Sequence, residues 1–415
     1  MISKLKRIVL NNMIQIKNFG YLSALQLFTL FIPLITYPYL IRIIGKEIWG
    51  EIIFAQVIIS YASLLINFGF DVSATREVSV SRDNSTELSK IVSSVFIAKL
   101  FFGLISTVSI ILLINLIPLF TYHKLLYLYT FIFCLGDIFF PIYFFLGIEK
   151  MKYITFINLF TKLLFLLFIF IFVKDKDDYI LVPLFNGLGA AIGGIIAMII
   201  VVKIYNIRIS LVNVSAVKNR VRASINYFIT DLSIVLKDRV NILVIGSFIG
   251  FTEVAYYDLG TKIVHIAQTP FSIINRVLLP SFANEFSKRK LILSIWIFTT
   301  ISFLIAFLLI IFSDIIVTFL GGKQMLLASN IIYIYAIVIP LACISSIYGI
   351  GLASQGISKI YMLSDIYSFF IYLLGILLVS TFYKISIYTL PIPIILSVIF
   401  TIFYKQYYLK KNNLL

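Results

Sequence analysis

Charge is scarce in this chain, and cysteine scarcer still. Charged residues make up 13% of the 415 positions and hydrophobic ones 61%, whereas a soluble domain carries about 25% charged and about 45–50% apolar residues. No water-soluble core absorbs that excess of Ile, Leu and Phe, so the composition excludes a soluble domain and points to a polytopic membrane protein. The two cysteines, Cys134 and Cys343, fall in separate apolar runs and make neither a disulfide framework nor a metal motif. There is no Walker A sequence, no HExxH, no GxSxG and no CxxC, and the only histidines are His123 and His265. The longest expected external connection, 313–326, holds only Asp314 and Lys323 as charges. A membrane-embedded polymerase or glycosyltransferase would need an aqueous loop to carry its acid, base or metal ligands. No catalytic residue, metal or cofactor is expected.

What the chain does have is long apolar runs. Twelve are expected to span a bilayer: 19–43, 49–69, 90–116, 124–146, 153–173, 179–203, 223–248, 254–280, 290–312, 327–350, 359–381 and 385–405. The net charge of +16 would suggest nucleic acid in a soluble protein, but its placement gives another answer. With the N-terminus inside and boundary residues counted with their loops, 21 of the 34 Lys and Arg lie on the cytoplasmic side and 7 outside. The positive-inside rule then puts both termini in the cytoplasm, and no nucleic-acid partner is called for. Lys4, Lys6, Arg7 and Lys17 resemble the basic start of a signal peptide, but the apolar run that follows is too long and lacks a small-x-small cleavage site.

The chain reads as two halves. "IIGKEIWGEIIFAQ" (43–56) and "FIGFTEVAYYDLGTK" (248–262) align Gly45 with Gly250 and Gly50 with Ala255. With an even number of helices per half, this gives a parallel pseudo-two-fold repeat. The expected organisation is an all-α protein with an N-terminal six-helix bundle over 1–203, a basic cytoplasmic linker over 204–222 and a C-terminal six-helix bundle over 223–415. Transporters with such repeats hold their substrate between them. "GLGAAIGG" (187–194) lies in an apolar helix, where Gly189 and Gly193 are read as a packing contact.

Buried charge is the functional signal, because each ionisable group in hydrocarbon costs a few kcal/mol. At 3.6 residues per turn, Asp258, Lys262, His265, Thr269, Ser272 and Arg276 share one face of span eight. Asn226, Thr230, Ser233 and Lys237 line one face of span seven, Asp231 and Asp238 another, and Gln56, Ser60, Ser63 and Asn67 one face of span two. Two readings stand: the stripes pair with one another between packed helices, or they line a hydrated cavity. A cavity holding Lys237, Arg239, Lys262 and Arg276 would favour an anionic substrate. Asp231, Asp238 and Asp365 are candidates for coupling to a proton or sodium ion, or for charge pairing. Asp137 and Asp365 have no cation near them in sequence.

"NFGFDVSATREVSVSRDNSTELSKIVSSVF" (67–96) resembles the loop between helices two and three of the Wzx-type O-antigen and polysaccharide flippases. The stretch 227–283 is similar to their helices seven and eight, through Asp238-Arg239, Gly250 with Ala255, Tyr257-Asp258 with Lys262, and Pro280. The resemblance implies the fold of the multidrug/oligosaccharidyl-lipid/polysaccharide exporter superfamily, two six-helix bundles in a V with a central cavity. It also implies alternating access in a bacterial plasma membrane, with undecaprenyl-diphosphate-linked oligosaccharide as substrate and a polysaccharide polymerase and chain-length regulator as partners. A drug or cation antiporter of the same superfamily is the rival reading, and it would want a more acidic cavity.

Overall fold

A computed structural model describes the backbone of every residue except 1, 122 and 285. It describes the side chains of all residues other than 1–16, 19, 122, 272, 273, 275–277, 280, 281, 284, 285 and 358. Among the described residues there are helices and no strands. This is what a bilayer demands of a chain that does not close into a barrel, since every backbone polar group must be satisfied within its own segment.

In chain order the helices are α1 (Ile2–Ile44), α2 (Lys46–Asn67), α3 (Phe70–Val80), α4 (Ser85–Leu116), α5 (Pro118–Thr121), α6 (Lys124–Phe131), α7 (Phe133–Phe139), α8 (Ile142–Gly147) and α9 (Met151–Phe172). There follow α10 (Leu181–Ile199), α11 (Val214–Phe248), α12 (Phe251–Asn284), α13 (Lys288–Gly321), α14 (Ala328–Tyr335), α15 (Val338–Ser354), α16 (Ser358–Phe382) and α17 (Pro391–Lys411). Ten stretches are long and apolar enough to cross a membrane among the described residues. They match ten of the twelve expected spans to within a few residues at most ends. The other two expected spans fall on α11 and α12, which have 35 and 34 residues and are not among the ten.

Local chemistry sets the boundaries. Asn84 caps α4 by accepting the Glu87 amide at 3.0 Å, an interaction worth about 1 kcal/mol, so α4 starts ahead of its apolar run. Gly45 and Gly250, at φ 82° and 152°, each turn the chain immediately before a new helix, a conformation glycine adopts without strain. The expected external connection 313–326 is shorter than read: α13 continues through the apolar residues Ile315–Leu320 and ends only at Gly322.

The chain forms two compact units, residues 1–44 with 55–232, and residues 45–54 with 233–415. The boundaries fall between α1 and α2, inside α2 and inside α11. In unit 1, α9 packs on α1 and α10, α10 on α7, and α3 on α8. Gly189 and Gly193 make the α9 contact close: a Cβ at Gly193 would stand 2.8 Å from Thr161 Cγ2. Arg82 ties the end of α3 to the end of α8, reaching Glu149 at 3.1 Å and the Gly147 carbonyl at 3.0 Å. In unit 2, α15 packs on α12, α13 and α17, and α16 on α17. Asn241 of α11 sits fully buried there, donating to Tyr257 at 2.6 Å and accepting from Tyr372 at 2.8 Å.

Candidate functional site

Unit 2 gathers most of the charges singled out by helix periodicity. Asp258 and Lys262, one turn apart on α12, stand 3.6 Å from each other, with side chains 5% and 35% exposed. The acid is therefore inside and the ammonium reaches outward. Asp238 and Arg239 are exposed on α11. With Lys262 they are close enough to act on the charge of His265, itself exposed on α12. Asp238, a candidate for ion coupling or charge pairing, lies on an exposed face of α11, while its neighbour Lys237 is half-buried. Arg276 lies on the same helix as Lys262, but its side chain is outside the described residues.

Lys237 reaches across to α16, donating to Ser368 Oγ at 2.7 Å, and that hydroxyl donates to the Ser397 carbonyl at 3.3 Å. Asp365 and Lys405 lie within electrostatic reach of Lys237. Lys405, on α17, has a side chain only 4% exposed; its ammonium lies 3.7 Å from Asp365 Oδ1, donates to Ser345 Oγ at 3.2 Å, and rests 4.8 Å from the Tyr361 ring centre. Asp365, with no cation nearby in sequence, thus has one from the next helix. The connected set holds four cations (Lys237, Arg239, Lys262, Lys405) and three carboxylates (Asp238, Asp258, Asp365).

Unit 1 has a second cluster that the stripes did not reveal as one. Lys99 of α4, 2% exposed, donates to Asn67 Oδ1 of α2 and to the Asp137 carbonyl of α7, both at 2.8 Å. Asp71, in the first turn of α3, and Asp137 both act on its charge. Ser63 and Asn67 lie beside the Asp137 carboxylate. Next to Asn67 in the chain, Phe68 stacks between Phe102 at 4.5 Å and Phe228 at 4.4 Å. Asp231 belongs to unit 1, where the charge of Asp71 acts on it. Beside the cluster, a cavity of about 190 Å³ is lined by Asp137, Asn158, Thr161, Lys162 and Asn186, among others. Asp137, too, therefore has a cation from a distant helix.

No group of three or more His, Cys, Asp or Glu that could hold a metal ion occurs among the described residues. Both clusters hold ionisable groups buried among helices that are otherwise apolar. Unit 1 offers carboxylates around a buried ammonium. Unit 2 offers Lys262 and Arg239 reaching outward near the buried Asp258, and a buried Lys405 beside the half-exposed Asp365.

Comparison with known proteins gives a consistent picture. The family described as "Polysaccharide biosynthesis protein" matches residues 15–286. An Escherichia coli (strain K12) protein provisionally described as an O-antigen transporter is 26% identical over 272 residues, spanning 65% of this chain and 65% of that protein. A Shigella dysenteriae protein of the same provisional description is 24% identical, spanning 63% of this chain and 67% of that protein. Among solved structures, an inward-facing multidrug resistance MATE family transporter of the MOP superfamily aligns with a TM-score of 0.71 and 11% identity, over 92% of this chain and 95% of that one. The lipid II flippase MurJ, in an inward closed conformation, aligns with a TM-score of 0.71 and 16% identity, over 94% and 87%.

Proposed function

Because the chain belongs to the polysaccharide biosynthesis protein family, we propose that it flips undecaprenyl-diphosphate-linked oligosaccharide units across the bacterial plasma membrane by alternating access. The observation that carries this reading is the cation excess of unit 2, where Arg239, Lys262 and Lys237 outnumber the acids they pair with once Lys405 is counted. A diphosphate bearing a sugar does not cross hydrocarbon, and its charge needs partners on the way. Guanidinium and ammonium groups make charge-assisted hydrogen bonds to phosphate. The polyprenyl tail stays in lipid throughout, so the protein has only the headgroup to shield.

In this reading α11 and α12 are spans seven and eight, and both termini are cytoplasmic. The basic segment 204–222 links two six-helix bundles, 1–203 and 223–415. Arg239, Lys262 and His265 face the headgroup, and Asp258 orients Lys262. A polymerase and a chain-length regulator act on the delivered units. The relatives' description as O-antigen transporters and the flippase role of MurJ support the class; the sugar is a matter for experiment.

The test is a depletion strain with its glycan pathway intact. Lipid-linked units should accumulate on the cytoplasmic leaflet, and reconstituted protein should move them across a liposome bilayer. Export of a fluorescent cationic dye with no movement of glycan would assign a drug or cation antiporter instead.

A further inference from the structure

The apolar stretch Lys176–Ile204 ends at Ile204, and residues 205–213 form no helix before α11 begins at Val214. This connection is pinned to unit 1. Ile207 is 1% exposed, and its amide donates to the Val201 carbonyl at 3.3 Å. The Arg208 amide donates to Ser89 Oγ and the Ser210 amide to Ser93 Oγ, both at 3.1 Å and both on α4. With the backbone held there, Ile204, Ile209, Leu211 and Val214 stay outside, at 58%, 40%, 97% and 78% exposure.

That surface needs a partner of two kinds at once. Its apolar side chains stand clear of the bundle, where contact with water is unfavourable. Interleaved with them are Lys203 and Arg208, both exposed, and no acid occurs anywhere from 203 to 222. Arg208 also lines a cavity of about 1010 Å³ with Ser85, Thr86, Ser89, Ser210 and Lys90; the Lys90 ammonium meets Glu87 at 3.1 Å. Topology accounts for the cations alone, and it does not ask Leu211 or Val214 to point outward. Basic residues set among exposed apolar ones suit the boundary between anionic headgroups and acyl chains. The connection stands at the end of a membrane-length stretch, where that boundary lies.

We propose that residues 203–214 are a binding site for anionic phospholipid of the cytoplasmic leaflet. Ile209, Leu211 and Val214 enter the acyl boundary, and Arg208 with Lys203 holds the phosphate headgroup at the mouth of the cavity. A transported lipid visits and leaves, whereas this apolar surface is permanent and needs permanent cover, which bulk phospholipid supplies. The choice of leaflet rests on the orientation in the flippase reading above; the lipid contact does not.

The full chain with Leu211→Cys, carrying an environment-sensitive fluorophore in nanodiscs, tests this; Cys134 and Cys343 are buried and stay unlabelled. Val214→Cys serves as a second position if the first is not recovered. Emission should be blue-shifted and quenched by phospholipid brominated high on its acyl chain, more so with phosphatidylglycerol present than in phosphatidylcholine alone. Arg208→Gln or Lys203→Gln in the labelled chain should each lower the ratio of embedded to free probe about fivefold in phosphatidylglycerol, the weight of one basic charge at an anionic surface. Neither should change it in phosphatidylcholine. A probe that reports water in both lipids would overturn the proposal. So would a blue shift without quenching, which would assign a protein partner, or quenching indifferent to phosphatidylglycerol and to both Gln variants. Loss of the phosphatidylglycerol effect on adding stoichiometric polyprenyl diphosphate would assign the site to a transported headgroup instead. Labelling of the cysteine from outside intact cells would overturn the leaflet and the orientation behind it, while the quenching still judges the lipid contact.

Discussion

The two lysine–aspartate clusters are built from the same residue types and differ in which group lies deeper. In unit 1 the lysine is inside: Lys99 is 2% exposed, and the charges of Asp71 and Asp137 act on it. In unit 2 both arrangements occur, with Asp258 buried beside the outward-reaching Lys262, and Lys405 buried beside the half-exposed Asp365. Arg239, exposed on α11, adds a further cation. The groups that reach outward in unit 2, Lys262 and Arg239, are the ones placed to meet an anion.

The largest effect that would sharpen this contrast is expected at Lys99. Lys99→Ala leaves buried carboxylates without their cation, at about 3–5 kcal/mol, so folded protein in the membrane should fall severely. Lys405→Ala should cost much less although Lys405 is equally buried, because its partner Asp365 is 42% exposed and can be hydrated. Quantifying membrane-inserted protein for both variants checks this; equal losses would erase the distinction between the clusters.

Next come Arg239 and Lys262. Arg239→Gln and Lys262→Ala should leave abundance near normal and slow glycan flipping by about tenfold each, the loss of one charge-assisted bond discounted for solvent screening. Asp258→Ala should also slow flipping, by releasing Lys262 from its place. If flipping fell only in step with abundance, these charges would be packing elements.

The smallest effects separate two adjacent residues. Lys237→Ala removes the donor to Ser368 and should destabilise unit 2 by about 1 kcal/mol, visible as a lowered melting temperature. Asp238→Ala, on an exposed face, should change stability by no more than about 0.5 kcal/mol. The reverse order would mean that α11 is rotated from the placement described here.

The spans were legible because a bilayer needs about 20 consecutive apolar residues, and α4, α9 and α13 supply them without ambiguity. Their ends were less so: Asn84 starts α4 by capping and Gly322 ends α13 by backbone geometry, which hydropathy does not register. The α12 part of the unit 2 site was legible for the same periodic reason, since Asp258 and Lys262 are one turn apart. The unit 1 cluster was not. Lys99 meets Asn67 and Asp137 from 32 and 38 residues away, and Asp71 fell in a stretch expected to be a loop. Only packing brings them together. Lys237 and Asp238 show the remaining gap, because adjacent residues on a helix point about 100° apart and a stripe alone does not say which side faces the neighbour.

The most direct test of the unit 2 assignment is flipping by reconstituted full-length protein in liposomes loaded with lipid-diphosphate-linked glycan. Arg239→Gln and Lys262→Ala should each slow flipping by about tenfold at unchanged protein in the membrane. Flipping at the wild-type rate in both variants, or a loss that only tracks protein abundance, would contradict the assignment of phosphate recognition to unit 2.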